Sequence, residues 1–550
     1  MNKKIYLSSG LVFVLLILLL RWGALKGYVS GPVEAKLMFA LIGLPLLVLA
    51  RKKPADMLRP DILAALCAGI LSVSIFVTSY LAEEKAAVFT SPAQYLLLLF
   101  YFFFFYLLFM GAKLLWLGQV RAEISGSRGQ KLKGKELVLL VLFFALVLSV
   151  YYDCFFPNGN SPDTVNQWEQ LHGELNYNKI HAIGHTIFLK GLLSIYDHFG
   201  VVVMFQLFCV VALYVYVAAG FRRKALPLVP MAIAIGVALV MNGHFNYAFY
   251  FPWKDTPAAL CVCIVTLILM KYHEEGTLSS LSALLLGLAL AWCWLFRLNG
   301  IIAMLVCGTW FALSFVRRRY YRQLALMLAA LALSVSFVNV YSAKVLKPVE
   351  YDNGFSIQPF LYGIAAMVNS GELSPEELAE VDELVSVDWI YEEYALFVDR
   401  QDLIWEIDGD PRILADPNLR VFNNGFVLDA GEHKAELVLL YLRLMPRHLV
   451  TCVKDVIASL FVMWECKQLF IGGYLFHFLM IAFLAIKARL SLRDSIVFLP
   501  CLCNTVSIMI STVTNETRYF LPLFMLAPVY LLYIVEKSAK NSGQKGSSGL

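Results

Sequence analysis

Long apolar runs separated by short polar stretches set the pattern of this chain. A helix needs about 20 mostly apolar residues to cross a bilayer. Fourteen segments approach or reach that length: 6–20, 34–50, 62–81, 93–118, 136–154, 201–220, 226–242, 257–271, 280–297, 300–316, 323–342, 470–487, 494–513 and 518–536. They are too long and too evenly apolar for barrel strands. Backbone amides in hydrocarbon find partners only within a helix or a closed barrel, so helices are predicted. The expected fold is an all-α polytopic membrane protein with about 14 transmembrane helices (12–14).

The basic residues give this pattern an orientation. Lys3-Lys4 precede the first run, and Arg51-Lys52-Lys53 follow the second. Arg121, Arg128, Lys131, Lys133 and Lys135 follow the fourth. Arg222-Arg223-Lys224, Arg317-Arg318-Arg319 and Lys487, Arg489 and Arg493 follow later runs. With fourteen spans all of these fall on one face, which the excess of Lys and Arg marks as cytoplasmic. Both termini are then cytoplasmic, in a multi-pass cell-membrane protein. Arg21 and Trp22 follow Leu20 with no small-x-small site, so the first run is expected to stay as an uncleaved span.

Three substantial segments are left on the opposite face: the loop 155–200, the stretch 243–256 and the region 343–469. The last contains about half of the chain's 40 acidic residues. Ser374-Pro375-Glu376-Glu377 and Glu392-Glu393 there suggest short capped helices, hence a small, mainly helical external domain. Its segment 447–464 is apolar, but a span at that point would reverse every later basic cluster. An interfacial helix is predicted instead. The division is 1–135 (about four N-terminal helices), 136–342, 343–469, 470–536 and a disordered cytoplasmic tail, 537–550.

Composition supports the class. Of 550 residues 60% are hydrophobic and 15% charged, and the mean hydropathy is +0.70. Soluble domains carry roughly 25% charge, so polar surface for a water-facing globule is lacking here. Eleven cysteines are present, mostly inside the runs, as in Cys261-x-Cys263 and Cys501-x-Cys503. They read as small apolar residues rather than metal ligands. No Walker-type nucleotide loop occurs, which argues against an ATP-driven pump. No nucleic-acid partner is expected.

Candidate chemistry lies in five polar clusters, all on the non-cytoplasmic face. Ionisable residues at membrane depth are costly and point to function. The first is Ser161-Pro162-Asp163, with Asn166, Gln167, Trp168 and Glu169 behind it. Asp163 either caps a short helix or presents a general base. The second, His181-Ala-Ile-Gly-His185-Thr186, puts two imidazoles at i and i+4. They form a polar helix face, bind a metal (for which two histidines alone are a weak signal), or leave His185 to bind a phosphate or orient Asp163. The third, Phe251-Pro-Trp-Lys254-Asp255-Thr256-Pro257, opens a span. Lys254 either snorkels beside Asp255 or faces a phosphate with Asp255 orienting it. The fourth, Arg297-Leu-Asn299-Gly300, is a hairpin so short that Arg297 needs an anionic partner, an internal carboxylate or a phosphate. The fifth, Asn515-Glu516-Thr517-Arg518-Tyr519, repeats an acid and an arginine at a helix mouth, or anchors the span at the interface. Three cations and one or two bases suit an anionic leaving group and an acceptor hydroxyl.

The ordered set Ser-Pro-Asp-x-x-x-Gln-Trp, His-x-x-x-His-Thr, Lys-Asp-x-Pro, Arg-x-Asn-Gly and Glu-x-Arg-Tyr resembles the GT-C superfamily of membrane glycosyltransferases. More narrowly it resembles the bacterial DUF6020 family of Gram-positive organisms. The resemblance covers roughly 136–536, with 136–342 as the catalytic transmembrane module and the first four spans as an addition. It implies inverting transfer of a sugar from a polyprenyl-phosphate donor, in the cell envelope and on the extracytoplasmic face. The acceptor would be a lipid, glycan or protein. It implies Asp163 as the catalytic carboxylate and Lys254, Arg297 and Arg518 around the donor phosphate. Asp255, Glu516, His181, His185, Asn299, Gln167, Trp168 and Tyr519 would support them. Many such loops carry two adjacent acids. Here Thr164 follows Asp163 and the nearest second acid is Glu169, which leaves a requirement for Mg or Mn open. A transporter or flippase of lipid-linked saccharide, or a polymerase or ligase of it, would draw on the same inventory.

Overall fold

The computed structural model describes residues 54–57, 59–81, 92–121, 124, 129–179, 181–241, 248–349, 354–394, 402–405, 408–419, 424–463, 474–511 and 517–547. Spans 6–20 and 34–50, the clusters Lys3-Lys4 and Arg51-Lys52-Lys53, Arg128 and Glu516 lie outside these residues. Among those described, regular structure is all helical, apart from a single parallel bridge between Asn178 and Val349.

The apolar runs become helices much where their hydropathy places them. They are α1 (Ile62–Leu81), α2 (Pro92–Ala112) with a π-helical continuation (Lys113–Val120), and α3 (Gly134–Phe155). Two short helices follow, α4 (Pro162–His172) and α5 (Ile183–Leu193). Then come α6 (Gly200–Arg223), α7 (Leu228–Met241), α8 (Asp255–Glu275) and α9 (Ser280–Phe296). The first half closes with α10 (Ile301–Arg317) and α11 (Tyr321–Tyr341). Six stretches among the described residues are long and apolar enough to cross a membrane: Gln94–Gly118, Gly200–Arg223, Asp255–Glu275, Leu298–Arg317, Tyr321–Leu346 and Arg518–Asn541. The chain therefore has the character of an α-helical membrane protein. Large apolar side chains on its flanks, such as Phe103, Leu142, Phe208 and Leu333, face outward, which hydrocarbon tolerates and water does not.

Region 343–469 folds as short helices around a core of its own. Its helices are α12 (Gln358–Asn369), α13 (Pro375–Asp382), α14 (Val387–Glu393), α15 (Gly425–Glu432), α16 (Lys434–Leu444) and α17 (Leu449–Met463). Leu361, Ile364, Val381, Ile390, Val427, Leu437 and Leu444 fill that core. Ser374 caps α13 in a reciprocal box with Glu377, as the Ser-Pro-Glu-Glu run predicts. The apolar segment at 447–464 contains α17, an amphipathic helix. It buries Thr451, Cys452 and Asp455 and exposes Leu449, Val450, Val453 and Val456.

The chain ends with α18 (Tyr474–Lys487), α19 (Leu499–Ser511) and α20 (Leu521–Ser547). The expected disorder of 537–550 is corrected for 537–547, where α20 runs on through Ser547, and 548–550 lie outside the described residues. Charge holds the helix as far as Lys540. Lys537 bonds Asp494 at 3.2 Å, Lys540 pairs with the buried Glu536 one turn before it, and His273 Nε2 meets the same Asp494 at 2.9 Å. Composition rich in Ser and Gly suggests a coil, but a long-range pair and an i,i+4 pair favour the helix here.

A second clasp ties the N-terminal helices to the C-terminal ones. Asp61 accepts the Ala64 amide at 3.2 Å as the cap of α1. The same carboxylate takes Lys113 at 2.9 Å and Lys487 at 2.7 Å. Breaking it strands two partly exposed ammonium groups and a helix end. Asp61→Ala should cost about 1–3 kcal/mol, read as a lower unfolding temperature in detergent. Asp61→Glu should lose less, because it keeps the charge.

Candidate functional site

The site is built where four short turns meet at one end of the bundle. Ser161 opens α4: its hydroxyl accepts the Thr164 amide at 3.3 Å, and the Ser161 amide donates to the Thr164 hydroxyl at 2.7 Å. Pro162 sits at the first helical position, where a missing N–H costs nothing. Ser161 thus does the capping, and Asp163 is released from it. At the other end Gly173, in the left-handed conformation (φ 79°), closes α4 and sends the chain towards His181.

Asp163 Oδ2 lies 3.3 Å from Arg518 Nη2. Arg518 arrives from a 3-10 turn, Thr517–Phe520, just before α20. Its guanidinium stacks over Trp253 at 4.1 Å, and its Nε is 3.9 Å from Asp255 Oδ2. The Trp253 indole N–H donates to Ser161 Oγ at 2.8 Å, so one aromatic ring fixes both the cap and the arginine. Asp255 is 2% exposed, in the first turn of α8, where the helix dipole favours a carboxylate. Its other oxygen contacts Arg297 Nη1. Arg297 leaves α9 in an extended conformation (φ −143°, ψ 125°), stacks over Tyr519 at 4.3 Å and donates to Asn299 Oδ1 at 3.2 Å. Arg297 and Arg518 are 11% and 10% exposed.

Several sequence expectations meet here. Asp163, Lys254, Asp255, Arg297, Asn299, Arg518 and Tyr519 come together. Asp255 takes a different partner from the one anticipated: it bridges the two arginines rather than orienting its neighbour Lys254. Gln167 turns to the histidines, its amide 3.1 Å from His185 Nδ1. Trp168 packs on His172 and Phe199 and belongs to a small apolar core. Trp253 and Ser161 lie inside the motifs, yet no role was assigned to them from sequence. The signal was an aromatic next to a lysine in a chain with a second cation far away, and that pairing is invisible locally.

His181 and His185 are 3% and 0% exposed. Gly184 between them packs on the Leu295 carbonyl so closely that no Cβ would fit. This contact sets α5 against the end of α9, one residue from Phe296 and two from Arg297. Among the described residues both ring nitrogens of His181, Nε2 of His185 and Oγ1 of Thr186 have no hydrogen-bond partner. A buried polar atom left this way costs about 1–3 kcal/mol.

Electrostatics follow the packing. Burial alone would raise the Asp163 carboxyl, but Lys254, His181, Arg518 and Arg297 hold it well below the usual carboxylate range. Burial, with Arg297 and Arg518 nearby, lowers Lys254 to about 8 against the pull of Asp163. Burial and Lys254 push His181 down to about 4, and they hold His185 well below its usual value. Both imidazoles are therefore neutral near pH 7. Three cations face two carboxylates, leaving one net positive charge. Among the described residues no group of three or more His, Cys, Asp or Glu side chains is placed to hold a metal ion. The arrangement can bind an anion and present one carboxylate beside it.

No family model, curated protein or solved structure matches the chain.

The buried histidine has a consequence for stability. The unfolded chain protonates His181 near pH 6.5 and the folded protein near pH 4. Between these values the unfolded state binds more protons, so stability falls as pH falls through that window. Going from about pH 7 to about pH 5 should cost on the order of 2 kcal/mol at His181, with His185 adding in the same direction. Thermal unfolding of His181→Gln should depend less on pH than wild type does. Equal slopes would contradict the assignment of neutral imidazole.

Proposed function

We propose that the chain is an inverting glycosyltransferase of the GT-C type, with fourteen spans, that uses a polyprenyl-phosphate sugar on the extracytoplasmic side. The observation that carries this reading is the meeting of Asp163 with Lys254, Arg297 and Arg518. These residues lie up to some 350 positions apart in the sequence. They converge at one end of an apolar bundle, and in this reading the donor's lipid tail lies between helices with its phosphate on the cations.

In the proposed reaction the acceptor oxygen attacks the anomeric carbon. The bond from that carbon to the phosphate oxygen breaks, and the electron pair leaves with the phosphate. The acceptor's proton goes to the Asp163 carboxylate. Lys254, Arg297 and Arg518 stabilise the anion as it forms. In the ligand-free arrangement Asp163 is a poor base, because Lys254, together with His181, Arg518 and Arg297, favours its charged form. A donor phosphate competes for Arg518 and so raises the basicity of Asp163 as the substrate binds. Asp255 keeps the two guanidiniums together while this exchange happens. Membrane lipids supply the surroundings of the donor tail, and the acceptor is a hydroxyl of a lipid, glycan or protein.

Two experiments test the reading. In detergent, with labelled polyprenyl-phosphate sugars and a cell-envelope extract, wild type should transfer label. Asp163→Asn should lower kcat by about 10²–10⁴-fold, and Arg518→Ala by about 10²–10³-fold. Donor binding without transfer would support a saccharide transporter instead. Sidedness is read separately by membrane-impermeant maleimide on intact cells. A cysteine at the exposed Leu414 should react, and one at the exposed Leu492 should not. Labelling at Leu492 alone would invert the orientation.

A further inference from the structure

His181, His185 and Thr186 form a compact polar group that the phosphate chemistry does not use. His181 precedes α5, and His185 and Thr186 lie on its first turn. All three are at least nine-tenths buried. Among the described residues four of their polar atoms have no hydrogen-bond partner: Nδ1 and Nε2 of His181, Nε2 of His185 and Oγ1 of Thr186. Native proteins satisfy nearly all such atoms, so an exception calls for an explanation. Loose packing does not provide one. Gly184 is pressed against the Leu295 carbonyl, and the neighbouring Gln167 and Gln170 amides are bonded to His185 Nδ1 and Asn166 Oδ1. Only part of a well-ordered network is left open.

The position of these atoms suggests their partner. Gly184 seats α5 on the Leu295 carbonyl, two residues before Arg297, and Gln167, which bonds His185, lies one turn after Asp163 on α4. The charges of Lys254, Asp163 and Arg518 act on His181 as well. The open atoms are therefore carried between the element that ends at Arg297 and the helix that presents the candidate base, on the side where a group joined to the phosphate would extend. Their chemistry narrows the choice further. A neutral imidazole offers one donor and one acceptor, and a threonine hydroxyl offers both. A phosphate only accepts, so acceptor nitrogens suit it poorly. Sugar hydroxyls both donate and accept.

We propose that His181, His185 and Thr186 form the subsite that holds the hydroxyl groups of a neutral sugar ring, next to a separate phosphate site. The proposal rests on the glycosyl-donor reading above. It assigns the histidines to substrate recognition rather than to metal binding or to the phosphate.

The test uses the full chain in lipid nanodiscs and two kinds of probe. One is geranylgeranyl phosphate. The other is the same lipid phosphate carrying glucose, mannose, galactose or N-acetylglucosamine. Wild type should bind at least one glycosylated probe about tenfold more tightly than the bare lipid phosphate. Thr186→Val and His181→Gln should each lose about fivefold to tenfold of that gain and leave binding of the bare lipid phosphate unchanged. Thr186→Val has a second readout. Replacing an unbonded buried hydroxyl by a methyl group of the same shape should leave the unfolding temperature unchanged or raise it. A gain from the sugar that survives in both variants overturns the subsite, as does equal binding of bare and glycosylated probes. In either case the phosphate site still stands. Failure of wild type to bind any of these lipids overturns the donor reading itself, and the subsite with it. A fall in the unfolding temperature of Thr186→Val with the sugar gain intact would make Thr186 a packing residue.

Discussion

Asp255 holds two guanidinium groups that reach it from different parts of the chain, and the geometry of the site hangs on that carboxylate. It is buried in the first turn of α8, with Arg297 on one oxygen and Arg518 near the other. An isolated charge at this depth would be prohibitively costly, and an ion pair offsets that cost only when the geometry is good. Trp253 and Tyr519 supply much of that geometry, because each guanidinium carbon sits over a ring, 4.1 Å from the Trp253 centroid and 4.3 Å from that of Tyr519. The arginines are thus positioned before any ligand arrives, which is what stabilisation of a developing anion requires.

The network is also asymmetric in a useful way. Asp255 is enclosed, whereas Asp163 sits on a short helix with about a quarter of its side chain exposed (26%) and touches the cations from one side. Ser161 caps α4 in its place, so Asp163 can move off Arg518 without unravelling the helix. A new anion would displace the more accessible carboxylate first. In the proposed reaction, recruitment of phosphate and activation of the base would thereby be one event.

Ion pairs away from the site tie the bundle together. At the basic end, Asp61 clasps α1 to Lys113 and Lys487, and Asp494 clasps α8 to α20 through His273 and Lys537. Region 343–469 is stabilised by its own apolar core and touches the site loop through the Asn178–Val349 bridge, where the Val349 amide donates to the Tyr177 carbonyl at 2.7 Å.

Local physics determined much of this from the sequence. Apolar runs of span length have no alternative to a helix in hydrocarbon, so the helices could be placed, and Ser-Pro dipeptides marked α4 and α13. Costly charges beside those runs marked Asp163, Lys254, Arg297 and Arg518 as candidates. Tertiary structure alone decided who meets whom. Asp255 pairs with arginines 42 and 263 positions away rather than with adjacent Lys254. Neighbouring side chains at a helix start point apart, and a guanidinium stacked on an aromatic ring makes the better-oriented partner. The same holds for the open nitrogens of His181 and for the pairing of Lys537 with Asp494 at the start of the helical tail. Each depends on burial and on partners remote in sequence, which no local pattern of residues encodes.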